Sequence, residues 1–141
     1  MGKIAKEKRR SAKTTIVGAH SSLAQERGFL AEERAIGWLT GQGLELVARN
    51  VRCRGGEIDA ICLERDTLVF AEVRLRTDPR YGGALESITA GKRRRILFTA
   101  RWWLTTQGHA HQHRPCRFDV ILFDGAEADV PQWIRGAFED G

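Results

Sequence analysis

The chain has 141 residues, 42% hydrophobic and 29% charged, with a formal net charge of +5, which suits one compact domain around a single core. No apolar run approaches the roughly 20 residues needed to cross a bilayer, and no signal-peptide core follows the basic start. Three widely spaced cysteines, Cys53, Cys62 and Cys116, suggest neither a disulfide framework nor a zinc knuckle, so a soluble, cytoplasmic protein without a membrane partner is expected.

Residues 1–20 form a basic arm in which Lys3, Lys6, Lys8, Arg9, Arg10 and Lys13 face Glu7 alone. Their net +5 equals that of the whole chain, so residues 21–141, read as one domain, are nearly neutral. The arm is too polar to pack and is expected to be disordered. It either adds sequence-independent phosphate contacts or is a solubilising terminus.

A helix is predicted over residues 22–43, with Ser22 as N-cap and Gly41 and Gly43 ending it. Glu32, Ile36, Leu39 and Gly43 share one stripe by their spacing, which aims Glu32 toward the sheet, unless it is a flanking glutamate that snorkels to solvent. A first strand around Ala48-Arg49-Asn50-Val51-Arg52 leads into a hairpin, residues 57–64 and 67–75, turning at Arg65-Asp66. With the loop centred there, cross-strand partners sum to about 131. Asp59 then faces Glu72, and Glu57 faces Arg74, all four on one face.

Two carboxylates roughly 5 Å apart repel, and more strongly as water is excluded. From the residues alone the two acids are either a solvated charge pair or a metal site; a shared proton, an arginine such as Arg74, or a hard cation such as Mg²⁺ would relieve that repulsion.

The loop Asp78-Pro79-Arg80-Tyr81-Gly82-Gly83 follows, with Tyr81 placed either to stack on a base or to cover the core. A second helix is predicted over residues 89–107, capped by Thr89, with Lys92, Arg93, Arg94 and Arg95 in its first turns ahead of an apolar stripe. Cations at a helix N-terminus oppose the macrodipole, so the run is either a phosphate contact or a solvated face. Arg49, Arg52, Arg54, Arg76 and Arg80 extend the same basic footprint. His109, His111 and His113 lie in a loop where alternation scatters their side chains. Residues 116–123 form another strand, in which Asp119 is expected to pair with Arg117 or a backbone amide, and a short terminal element closes the chain. The order is α-β-β-β-α-β and a short element, an α/β (α+β) arrangement of helices around a mixed sheet.

Several of these stretches keep a recognisable order and spacing: Gly28, Ala31-Glu32, Ala35, Leu39 and Gly43; Ala48-Arg49-Asn50-Val51-Arg52; Gly55-Gly56-Glu57-Ile58-Asp59; Phe70-Ala71-Glu72-Val73-Arg74; and Arg117-Phe118-Asp119-Val120. Together they resemble the YraN family of bacterial proteins over residues 28–138. The resemblance implies a predicted endonuclease, distantly similar to archaeal Holliday-junction resolvases and to the restriction-endonuclease-like fold. It implies Asp59 and Glu72 as metal ligands, Glu32 as a helix-borne acid near the metal, and Arg74 where that superfamily usually has lysine.

The departure at position 74 matters, because arginine stays protonated and cannot act as a general base. It remains suited to clamping a phosphate. Two main functions are therefore open: a Mg²⁺- or Mn²⁺-dependent endonuclease acting on DNA, with branched or otherwise structured DNA as one candidate substrate, or a nucleic-acid-binding protein that keeps the fold without turnover. A protein-interaction module using an exposed tryptophan is a third. A homodimer is expected only if a four-way junction is the substrate, since that needs two cuts.

Overall fold

The computed structural model describes residues 22–76, 88–125 and 128–139. The basic arm and the loop at residues 78–83, with Arg80 and Tyr81, lie outside them. The elements are α1 (Leu23–Gly41), β1 (Glu45–Cys53), β2 (Gly56–Glu64), β3 (Thr67–Arg76), α2 (Ala90–Thr106), a 3-10 turn (His109–His111), β4 (Cys116–Asp124) and β5 (Gln132–Phe138). The five strands form one mixed sheet in the order β1-β2-β3-β4-β5. Only β3 and β4 run parallel, and α2 lies between them in sequence. The short terminal element is thus a full seven-residue strand, β5, antiparallel to β4.

Both helices start where their caps dictate. Ser22 Oγ accepts the Gln25 N–H and Gln25 Oε1 accepts the Ser22 N–H, each at 3.1 Å, closing a capping box. Thr89 Oγ1 accepts the Lys92 N–H at 3.1 Å. After α1, Gly43 at φ 99 takes the left-handed conformation that ends a helix.

The helices cover opposite faces of the sheet. Ala31, Ala35 and Leu39 of α1 pack on Ala60, Cys62, Val69, Ala71, Val73, Ile121 and Phe123. Ile96, Ala100 and Trp103 of α2 pack on Val51, Ile58, Ile61, Leu68, Phe70 and Phe118. The inward stripe of α1 is therefore one residue earlier than expected at its start, and Glu32 sits half-buried at its margin. Of the adjacent tryptophans, Trp103 is buried and Trp102 only partly so. The histidines do not gather: His111 stacks on Trp103 with ring centroids 5.8 Å apart, while His109 bonds the Thr105 carbonyl. All three cysteines are free; Cys62 is buried, Cys53 intermediate and Cys116 exposed.

Asp119 is fully buried and ties β4 to β5. Its carboxylate accepts from Arg117 Nε and Nη2 at 2.9 and 3.0 Å, from Trp133 Nε1 at 2.9 Å and from the Gly136 N–H at 3.0 Å. The expected pairing of Asp119 with Arg117 and a backbone amide is present, with the indole in addition. Among the described residues no helix is long and apolar enough to cross a membrane.

Candidate active site and nucleic-acid interface

The hairpin register is the expected one. Pairs run from Glu64↔Thr67 to Ala60↔Ala71, every one summing to 131, and the β2–β3 ladder then stops. One step beyond, where Asp59 lies across from Glu72, Asp59 Oδ2 accepts the Val73 N–H at 2.8 Å. A side chain has taken the donor that a continued ladder would have used, so the strands open at the acidic pair.

The alternation of β2 also breaks here. Ile58 and Ile61 both pack toward α2, while Ala60 and Cys62 pack toward α1. Across β1, Asn50 falls between the pairs Arg49↔Ala60 and Val51↔Ile58 and has φ 51, a conformation asparagine tolerates better than most residues. Glu57 and Arg74 both stay beside the acidic pair, the charge of Glu57 raising the Asp59 carboxyl and Arg74 Nη1 lying 3.9 Å from Glu72 Oε2. The ion pair of Glu57 is made across the other hairpin, with Arg52 at 3.1 Å.

Asp59 and Glu72 are 9% and 4% exposed, and their carboxyl groups are hydrogen-bonded to each other. Burial first, and then the charge of Glu72, push the Asp59 carboxyl up to about 8, although the bond from Val73 pulls the other way. Without a metal ion the pair therefore holds a proton at neutral pH. Glu32 belongs to the same neighbourhood: its carboxyl is raised by partial burial and then by the charges of Asp59 and Glu57. It does not complete a cage, for among the described residues no three of His, Cys, Asp and Glu converge to hold a metal ion.

The cation that reaches the pair comes from α2. Lys92 Nζ lies 2.9 Å from Glu72 Oε2, nearer than Arg74 Nη1 at 3.9 Å. From sequence Lys92 is either a phosphate contact or part of a solvated face; its ion pair with Glu72 puts it inside the site.

A family model described as "Uncharacterised protein family UPF0102" matches residues 31–123. The chain belongs to the UPF0102 family. A UPF0102 protein of Alkalilimnicola ehrlichii is 54% identical over 114 residues, covering 80% of this chain and 86% of that protein. One from Alcanivorax borkumensis is 52% identical over 110 residues, covering 77% and 87%. UPF0102 protein YraN of Escherichia fergusonii is 46% identical over 116 residues, covering 82% and 86%. The UPF0102 match spans Glu32, Asp59, Glu72, Arg74 and the Lys92–Arg95 run.

In this UPF0102 chain the basic residues fall into two groups. Arg52, Arg54, Lys92 and Arg95 line a depression of about 450 Å³ with Glu57, bounded by the Gly55-Gly56 turn. Arg94 and Arg95 border a neighbouring one. Gly56 is what lets the β1–β2 turn sit on α2: a Cβ there would lie 2.9 Å from Thr99 Oγ1 and 3.0 Å from the Arg95 carbonyl. Arg76 is placed differently, bonded to Asp124 at 2.9 Å, and Arg93 is half-buried; neither lines these depressions.

Proposed function

We propose that this protein is a metal-dependent endonuclease that hydrolyses phosphodiester bonds in DNA. The observation that carries the reading is the buried Asp59–Glu72 pair at the open end of the β2–β3 ladder, met by Lys92 beside a basic depression. Burying two carboxyl groups against each other is costly unless a proton or a cation relieves it. An acidic pair next to arginines suits a substrate that brings its own phosphate charge.

Asp59 and Glu72 would hold Mg²⁺ or Mn²⁺, a hard cation that needs only one or two protein carboxylates and fills its shell with water and phosphate oxygens. Bound there, such an ion supplies Lewis-acid activation of water and offsets the charge that develops on the phosphate. Glu32, at the margin, orients rather than anchors. Arg74 clamps a non-bridging phosphate oxygen, and Arg52, Arg54, Arg94 and Arg95 hold the flanking backbone. Lys92 gives up Glu72 to the incoming cation and turns its ammonium to the phosphate. Hydrolysis adds water across one P–O bond, leaving a phosphate monoester and an alcohol.

The test is to incubate the protein and Glu72→Ala with end-labelled single-stranded, duplex, flap and four-way-junction DNA in Mg²⁺, in Mn²⁺ and in chelator. Metal-dependent cleavage that falls on the order of a thousandfold in Glu72→Ala is expected. Absence of both divalent-metal binding and cleavage would sink the proposal. A second reading, nucleic-acid binding without cleavage, is favoured by Arg74 at the strand position beside Glu72; salt-sensitive binding indifferent to chelator, with no product, would establish it.

Lys92 separates two roles in one variant. In Lys92→Met, Mn²⁺ affinity measured by calorimetry should rise by roughly tenfold, because a competing positive charge is gone. Cleavage at saturating Mn²⁺ should nevertheless slow by about 10- to 100-fold. Weaker Mn²⁺ binding in the variant would show that Lys92 supports the metal seat instead of competing for it.

A further inference from the structure

Phe98 lies off the Ile96, Ala100 and Trp103 stripe that anchors α2 to the sheet, and it is 55% exposed. One part of its ring rests on the β1–β2 turn. A Cβ on Gly55 would come within 2.5 Å of Phe98 Cδ2 and 2.6 Å of Cε2, so the ring lies against bare glycine backbone. The rest of the ring faces an open depression of about 390 Å³ lined by Gly55, Gly91, Arg94 and Arg95. Arg95 and Gly55 also line the depression that holds Lys92, so the two hollows adjoin across a shared wall. Lys92 and Phe98 are six residues apart on one helix, roughly 9 Å along its axis.

From this geometry we infer that Phe98 is a base-stacking platform, and that the preferred nucleic acid carries an unpaired base next to the strand gripped by Arg94 and Arg95. The inference rests on the nucleic-acid reading above and deepens it. Arginines flanking an apolar ring favour an anionic chain that also presents flat apolar faces, which is the chemistry of a single strand. A duplex keeps its bases stacked on one another and offers only phosphates to such a surface. The β1–β2 turn backs the ring, so stacking needs little further ordering of the side chain.

Binding is measured in chelator by fluorescence anisotropy, using a blunt duplex, the same duplex with a single-stranded overhang, and polyglutamate as a chain with charge but no bases. The protein should prefer the overhang by about tenfold. Phe98→Leu, which keeps apolar cover on Gly55, should lose that preference with its blunt-duplex affinity changed less than twofold. Phe98→Trp should keep it and show quenching of the added tryptophan by the overhang. Equal binding of both DNAs, or a preference that survives in Phe98→Leu, would overturn the stacking role while leaving the nucleic-acid reading intact. Binding of neither DNA would end both, and polyglutamate binding as tight as the overhang would replace the nucleobase by an acidic protein segment.

Discussion

Asp59→Asn is expected to abolish cleavage and, in the metal-free protein at pH 8, to raise thermal stability. The two effects have one cause. Asparagine keeps an oxygen for the Val73 N–H and gains an amide N–H for Glu72, so the hydrogen bonds of the buried pair survive. What disappears is the second buried negative charge. The folded protein holds the Asp59 carboxyl up to about 8, against 3.8 for an ordinary aspartate, so the native state binds a proton that the unfolded chain releases across that interval. The stabilisation is complete below pH 4 and is lost as pH rises through 8. Between pH 6 and pH 8 the loss is on the order of 2 kcal/mol, at up to 1.36 kcal/mol per pH unit. Melting of the parent protein in chelator should therefore fall by roughly 5–10 °C over that range, and melting of Asp59→Asn should stay level. A divalent cation should restore the parent at pH 8, releasing about one proton below that pH, and leave the variant unmoved. A flat pH profile in the parent would refute the protonated pair. A cleavage loss below about tenfold would remove Asp59 from the chemistry.

The largest loss of stability is expected in Asp119→Ala, far from any reacting atom. The carboxylate is 0% exposed and satisfies four donors at once: two of Arg117, the Trp133 indole and the Gly136 amide. Removing it strands the indole and the amide and leaves Arg117 with Glu64 alone, at 2.8 Å. Breaking a buried pair from one side costs about 3–5 kcal/mol, because the surviving groups stay desolvated. Chemical denaturation should show that loss, with β5 loosening first, since the bonds of Trp133 and Gly136 to Asp119 tie it to β4 where their ladder is irregular. The edge-on contact of Trp38 with Trp133, centroids 5.1 Å apart, should weaken with it and be visible in near-ultraviolet circular dichroism. A change under about 1 kcal/mol would mean that β5 is held by its ladder and not by this carboxylate. Metal binding at Asp59 and Glu72 should survive in the folded fraction, because neither acid touches Asp119.

Local signals carried most of the architecture. The caps at Ser22 and Thr89 are nearest-neighbour chemistry, so both helices begin where the residues say. The Arg65-Asp66 turn sets the β2–β3 register, and that register alone puts Asp59 opposite Glu72. The partner of Glu57 was not legible in the same way. β2 has a neighbour on each side, and which one a surface charge meets depends on a break in alternation near Asp59 that no spacing announces. Spacing places the stripe of α1 one position late at its start, because the small Ala31 and Ala35 pack closest to the sheet while the larger Glu32 and Ile36 border them.

The sequence by itself therefore determined both helices and the first four strands, that two acids face each other across a hairpin, and that the chain resembles the YraN family. These follow from contacts between residues close in the chain or linked by a short turn. Only the tertiary structure decided that Lys92 reaches Glu72, that Arg52 rather than Arg74 takes Glu57, and that Phe98 lies on Gly55 instead of in the core. The contacts of Lys92 and Phe98 depend on how α2 lies across the sheet, a placement governed by the packing of Ile96, Ala100 and Trp103 and by no local pattern of charge, whereas the Arg52–Glu57 pair follows from the β1–β2 register.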